Sequence, residues 1–220
     1  MAELALVCGG GGALGGALVD AFLARGDEVV AVDRHVPDGA APPGLVHEAV
    51  DLTDADAVEA LWERLDAQPR WLVNAVGGFR GGTVADSEPD DVRFVSDLLL
   101  GTTWWSCRAA ARRMEAGAAI VNVGARAALT GGAGSAAYAV AKAGVVRLTQ
   151  VLSAELAERR VRVNAILPSL IDTPANRASL SEQALRNAVP PAEIAAVVAF
   201  LCSDAAAAVN GAIVPVYGWA

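Results

Sequence analysis

The chain has 220 residues, is 54% apolar and carries a formal net charge of -8. An acidic chain with no Lys/Arg cluster cannot neutralise a run of phosphates, which argues against a nucleic-acid partner. Polar residues or glycines interrupt every apolar run before the roughly 20 residues that a membrane span needs. Cys8, Cys107 and Cys202 are odd in number and widely spaced, which argues against a disulfide framework and a metal site and in favour of buried thiols.

In chain order, "LALVCG" predicts a first strand that begins almost at Met1, without a basic n-region, so the expectation is a cytoplasmic protein without a signal peptide. A helix near 14–25 and a strand "EVVAVD" follow, then a loop "PDGAAPPG" at 37–44. Next come a strand "LVHEAV", a helix near 54–67, a strand "RWLVNAV" and a long helix over 89–116. The second half reads as strand "AAIVNVG", helix 137–159, strand "RVRVNAIL", helix 191–203 and strand "AIVPVY". The polar, proline-bounded stretch 174–191 is expected to form a substrate lid. Strands separated by helix-length segments predict right-handed crossovers. The fold class is therefore α/β, a Rossmann-type doubly wound parallel sheet with helices on both faces, as one domain over residues 1–220.

The first strand runs into "CGGGGALGGAL". Here Gly9, Gly12, Ala13, Leu14 and Gly15 make a turn whose backbone N–H groups can approach a pyrophosphate at a helix N-terminus. Asp33 ends the second strand, where a carboxylate accepts hydrogen bonds from both adenosine ribose hydroxyls and repels a 2′-phosphate. NADH is thus expected over NADPH, although the neighbouring Arg34 keeps NADPH as an alternative. Asp51 and Leu52 are placed to border the adenine. Asn74, Ala75 and Gly77, in "NAVGG", end the fourth strand at the same crevice.

Tyr138 and Lys142 stand at i and i+4, on one face of a predicted helix. An ammonium near the phenol favours phenolate, moving a group with a reference pKa of about 10 toward neutrality, which suits proton transfer.

These pieces together, with "RVNAILPSLIDT" at 162–173, resemble the short-chain dehydrogenase/reductase family over nearly the whole chain. The resemblance implies that Tyr138 transfers the proton, that Lys142 also holds the nicotinamide ribose, and that Thr173, with Pro168 and Ile171 before it, borders the nicotinamide. It implies a dimer through the two long helices, with a tetramer as the alternative. The chain departs from the family's pattern where a serine usually stands, at Ala125, and where an asparagine usually stands, at Leu98; Ser135 does not replace the serine by position. Within the family these departures are similar to quinonoid dihydropteridine reductase, whose glycine loop "GGGALG", "ARAAL" and "LPSLIDTPANR" resemble. The corresponding aromatic residue is Phe79.

Three functional readings follow. The first is an NADH-dependent reductase of a quinonoid dihydropterin or similar planar acceptor, bordered by Phe79, Ala125 and a tryptophan from Trp104–Trp105. The second is a carbonyl reductase whose oxyanion is held by Asn176 or Arg177. The third is an NAD(H)-binding protein with little catalysis.

Overall fold

The computed structural model describes residues 2–219. Seven strands form one sheet: β1 (Leu4–Cys8), β2 (Glu28–Asp33), β3 (Leu45–Ala49), β4 (Trp71–Asn74), β5 (Ala119–Val123), β6 (Arg162–Pro168) and β7 (Ile213–Val216). The order is β3-β2-β1-β4-β5-β6-β7, and every pairing is parallel. The order reverses between β1 and β4, so the strand ends diverge there and open a crevice at their carboxyl side.

Central strands are buried on both faces, which is why β1, β4, β5 and β6 read as nearly continuous apolar runs rather than alternating ones. On one face Phe22 and Leu18 of α1 (Ala13–Ala24) pack with Ile194 and Val198 of α8 (Pro191–Leu201). On the other, Trp62 and Leu61 of α2 (Ala55–Glu63) pack with Cys107 and Ala110 of α4 (Thr102–Arg113) and with Leu152 of α5 (Ala136–Glu155). Each large apolar side chain so buried contributes about 1.5–3 kcal/mol relative to exposure. Asp54 caps α2 by accepting from the Asp56 and Ala57 amides.

The long helix expected over 89–116 is interrupted. α3 (Pro89–Ser96) passes through a π-turn at Asp97–Gly101 before α4 begins. The stretch 174–191 contains two short helices, α6 (Pro174–Ser179) and α7 (Glu182–Leu185), and ends in the first residue of α8. Its two ends are pinned together by the Asp172 amide donating to the Val189 carbonyl and the Val189 amide donating to the Leu170 carbonyl. No described helix is long and apolar enough to cross a membrane. The three cysteines are free and buried, and burial pushes each thiol up to about 12, which keeps them unreactive.

Candidate active site

A crevice of about 1100 Å³ lies across the carboxyl ends of the strands, larger than one drug-sized ligand requires. Its first wall is the glycine loop. Gly9 has φ +86°, and a Cβ there would lie 2.8 Å from the Ala75 carbonyl carbon. A Cβ on Gly15 would lie 2.0 Å from the Gly9 oxygen, so no other residue lets α1 start this close to β1. The Asp33 carboxylate accepts from the Gly11 amide at 3.1 Å and the Arg34 amide at 2.8 Å. These bonds hold its oxygens at the mouth beside Arg34. Asp51 accepts from the hydroxyl and amide of Thr53, which together hold its pKa below the usual carboxylate range.

Gly9, Gly12, Ala13, Leu14, Gly15, Asp33, Arg34, Asp51, Leu52, Ala75 and Gly77 all line this crevice, as sequence reasoning expects. Backbone without side chains at a helix N-terminus, followed by a carboxylate, fits a dinucleotide. Pro168, Ile171 and Thr173 line it from the far side. The Thr173 hydroxyl also caps α6, accepting from the Asn176 amide.

Tyr138 and Lys142, one turn apart on α5, both line the crevice. Lys142 is 3% exposed, and its Nζ donates to the Val123 carbonyl at 2.7 Å. Burial lowers its pKa to about 8. Tyr138 is pushed up by burial, which corrects the expectation of a phenol drawn toward neutrality. Desolvation governs the phenol, and the Lys142 ammonium, which gives one N–H to the β5 carbonyl, does not offset it. The Phe79 ring, 65% exposed, meets the Tyr138 ring edge-on at a centroid distance of 5.2 Å. Ala125 and Leu98 also line the crevice. Ser135 does not replace the missing hydroxyl, since its Oγ donates to the Gly132 carbonyl.

Three expected site residues lie elsewhere or are already engaged. Asn74 is buried, and its Nδ2 donates to Asn122 Oδ1 at 2.8 Å. Asn122 donates in turn to Thr149 of α5. Asn74 thus belongs to a polar network that joins β4, β5 and α5, because its alternating side chain points into the layer and away from the strand end. Arg177 does not line the crevice; its guanidinium binds both oxygens of Asp172. Asn176 does line it, but its Nδ2 already donates to the Ile171 carbonyl. Neither tryptophan reaches the crevice: Trp105 packs at the edge of the core and Trp104 is exposed.

Sequence reasoning missed Thr53, Thr102, Ser169, Leu170 and Leu180, which also line the crevice. Thr102 is buried just after the π-turn, and its hydroxyl donates to the Leu98 carbonyl at 2.7 Å. Lys142 is the single lysine among 17 basic residues, which itself marks the position as one that arginine does not fill.

A family profile described as enoyl-(acyl carrier protein) reductase matches residues 11–218. The chain is 36% identical to an uncharacterized short-chain type dehydrogenase/reductase of Sinorhizobium fredii, over 97% of this chain and 42% of that protein. It thus spans less than half the length of that relative. It is 33% identical to D-threitol dehydrogenase of Mycolicibacterium smegmatis, over 96% of this chain and 89% of the relative. The chain belongs to the short-chain dehydrogenase/reductase family. A short-chain dehydrogenase/reductase of Burkholderia thailandensis superposes with a TM-score of 0.86 at 30% identity, covering 99% of this chain and 92% of that one. A 4-hydroxyisoleucine dehydrogenase, solved in complex with NADH, superposes with the same TM-score of 0.86 at 26% identity, covering 98% and 97% of the two chains. Membership of this family makes the chain an NAD(P)H-dependent oxidoreductase domain.

Proposed function

We propose that this reductase uses NADH to reduce a planar, already activated acceptor of the quinonoid dihydropterin type. The observation that carries the reading is Ala125. It stands 7% exposed in the lining of the crevice that Tyr138 also lines and offers no hydroxyl to polarise a carbonyl. A ketone needs its developing oxyanion stabilised, whereas a conjugated quinonoid ring spreads the incoming charge itself.

The nicotinamide, when bound, supplies the hydride. Tyr138, protonated through burial, donates its hydroxyl proton to the acceptor as charge develops. Lys142, fixed to Val123, presents its remaining N–H donors to the crevice, where a ribose hydroxyl can accept. Phe79 lies edge-on to Tyr138 and offers its face to a flat ring, in the geometry aromatic groups favour. Thr173 and Pro168 border the carboxamide end. The Asp33 carboxylate at the mouth favours NADH, because a 2′-phosphate would meet like charge there. Trp104, Val140 and Val151, exposed on α4 and α5, support a homodimer formed through these helices.

The test is NADH oxidation with freshly generated quinonoid dihydropterin beside a panel of ketones. Strong ketone turnover with no pterin turnover overturns the reading. That outcome would favour the second reading, a carbonyl reductase, which a relative named D-threitol dehydrogenase supports. Its oxyanion donor would then be the remaining N–H of Asn176, since Arg177 is held by Asp172.

A further inference from the structure

We propose that Arg126 selects acceptors that carry an anionic substituent, such as a carboxylate, on the ring or carbonyl being reduced; this rests on the reductase reading above. Charge is divided along the crevice. The acidic residues that line it, Asp33 and Asp51, both stand at the glycine-loop end, with Arg34 as the one basic residue lining beside them. The rest of the lining includes Phe79, which packs against Tyr138, and Leu98, which packs against the same small apolar cluster as Tyr138, with Ala125, Ser169, Leu170, Leu180 and the buried Lys142, and none of these is acidic. A chain of net charge -8 repels an anionic substrate on approach unless a local cation offsets the field.

Lys142 lines the crevice but is buried and donates to the Val123 carbonyl; the exposed cation beside Ala125 is Arg126. It directly follows Ala125 and is exposed on the short 3-10 turn Arg126–Ala128. Among the described residues its guanidinium makes no ion pair. Arg70, by contrast, is held by Glu3 and Asp204, and Arg177 by Asp172. What orients Arg126 is the Tyr217 ring, 5.1 Å from its guanidinium carbon. Tyr217 is tied to the crevice in turn, because the Ser169 hydroxyl donates to its carbonyl at 3.0 Å. A guanidinium stacked by its face keeps its edge N–H donors free, and these match a carboxylate in bidentate geometry. The stack reduces the rotamer freedom lost on binding. Arg126 does not itself line the crevice; it would act on specificity from beside Ala125 and the Ser169-bound Tyr217.

The experiment compares two matched pairs in the unmodified protein, Arg126→Ala and Arg126→Lys. Pterin-6-carboxylate and 6-hydroxymethylpterin, oxidised planar analogues, are titrated by their own fluorescence. Benzoylformate and its methyl ester are assayed for NADH-dependent reduction. Arg126→Ala should weaken pterin-6-carboxylate binding about five- to twentyfold, the scale of a charge-assisted hydrogen bond at an exposed, partly screened position. The neutral pterin should change less than twofold, and Arg126→Lys should fall between. If the planar-acceptor reading fails while this inference holds, neither pterin binds, yet Arg126→Ala lowers the benzoylformate-to-ester ratio of kcat/KM by a similar factor. If both pterins bind the unmodified protein equally and Arg126→Ala changes neither pair's ratio, the inference is overturned and the planar-acceptor reading survives. No binding or turnover of any of the four compounds overturns the inference as well.

Discussion

The two ends of the crevice are built by different means. At the glycine-loop end the backbone does the work: a Cβ on Gly15 would overlap the Gly9 oxygen at 2.0 Å, and Asp33 is fixed by two amides. That end can accept one kind of ligand. At the Tyr138 end most of the shape comes from apolar side chains, and the titratable groups are one phenol and one amine, both perturbed by burial. Fixed backbone specifies a cofactor that never changes, while replaceable side chains let the reacting partner differ among relatives.

The sharpest way to break this contrast is at Tyr138. Tyr138→Phe removes one hydroxyl and keeps the edge contact with Phe79, so thermal stability and NADH affinity should hold. Turnover should fall by about 10²–10⁴-fold, the usual scale for a positioned acid. A fall below tenfold, measured under single-turnover conditions, would show that water supplies the proton.

Lys142 tests the buried charge. Its pKa of about 8 lies below the reference 10.5, so between these values the unfolded chain binds more protons than the folded one. Stability from this group therefore rises with pH across that window, and the burial cost is felt in full below pH 8. Urea unfolding of the unmodified protein and Lys142→Met should show their difference moving in favour of the former by up to about 3 kcal/mol from pH 8 to 10.5. The buried thiols, raised to about 12, act in the opposite sense in both proteins and cancel. A difference independent of pH would place the ammonium in contact with an unrecognised acid.

At the opposite end, Asp33→Asn keeps an acceptor for the Gly11 amide and removes the charge. The ratio of NADH to NADPH affinity should then shrink by about tenfold, or about 1.4 kcal/mol, in a fluorescence titration of both cofactors. An NADPH preference already present in the unmodified protein would reassign the dominant role to Arg34.

What could be read from sequence follows the same division. All seven strands and the glycine loop are legible, because buried parallel strands and obligatory glycines leave no compositional freedom. The break in the helix over 89–116 is not, since a π-turn at Asp97–Gly101 needs no special residue and arises from packing. Asn74 was misplaced because strand-end residues alternate between the crevice and the layer beneath, and the motif does not say which parity applies. Arg177 was misplaced because its partner Asp172 lies five residues away, a pairing fixed only by how the chain enters α6. Leu170 and Leu180 went unnoticed because ordinary apolar residues beyond a strand carry no mark of a site.

The smallest expected effect decides most about the substrate. Ala125→Ser puts a hydroxyl into the lining of the crevice at a residue whose extended backbone, φ -161° and ψ 157°, also makes it the N-cap of the short turn 126–128. Serine suits both places, so the fold should tolerate it, and a gain of a few tenths of a kcal/mol in stability would show the hydroxyl turned to the cap. If the acceptor is an activated planar ring, pterin turnover should change less than about threefold, because no carbonyl oxygen needs the donor in the transition state. If the protein is a ketone reductase, the same substitution should raise ketone turnover, since a well-placed oxyanion donor contributes up to about 3–4 kcal/mol. Assaying the variant on both acceptors, with unfolding followed in parallel to locate the hydroxyl, separates the readings by the sign of one change.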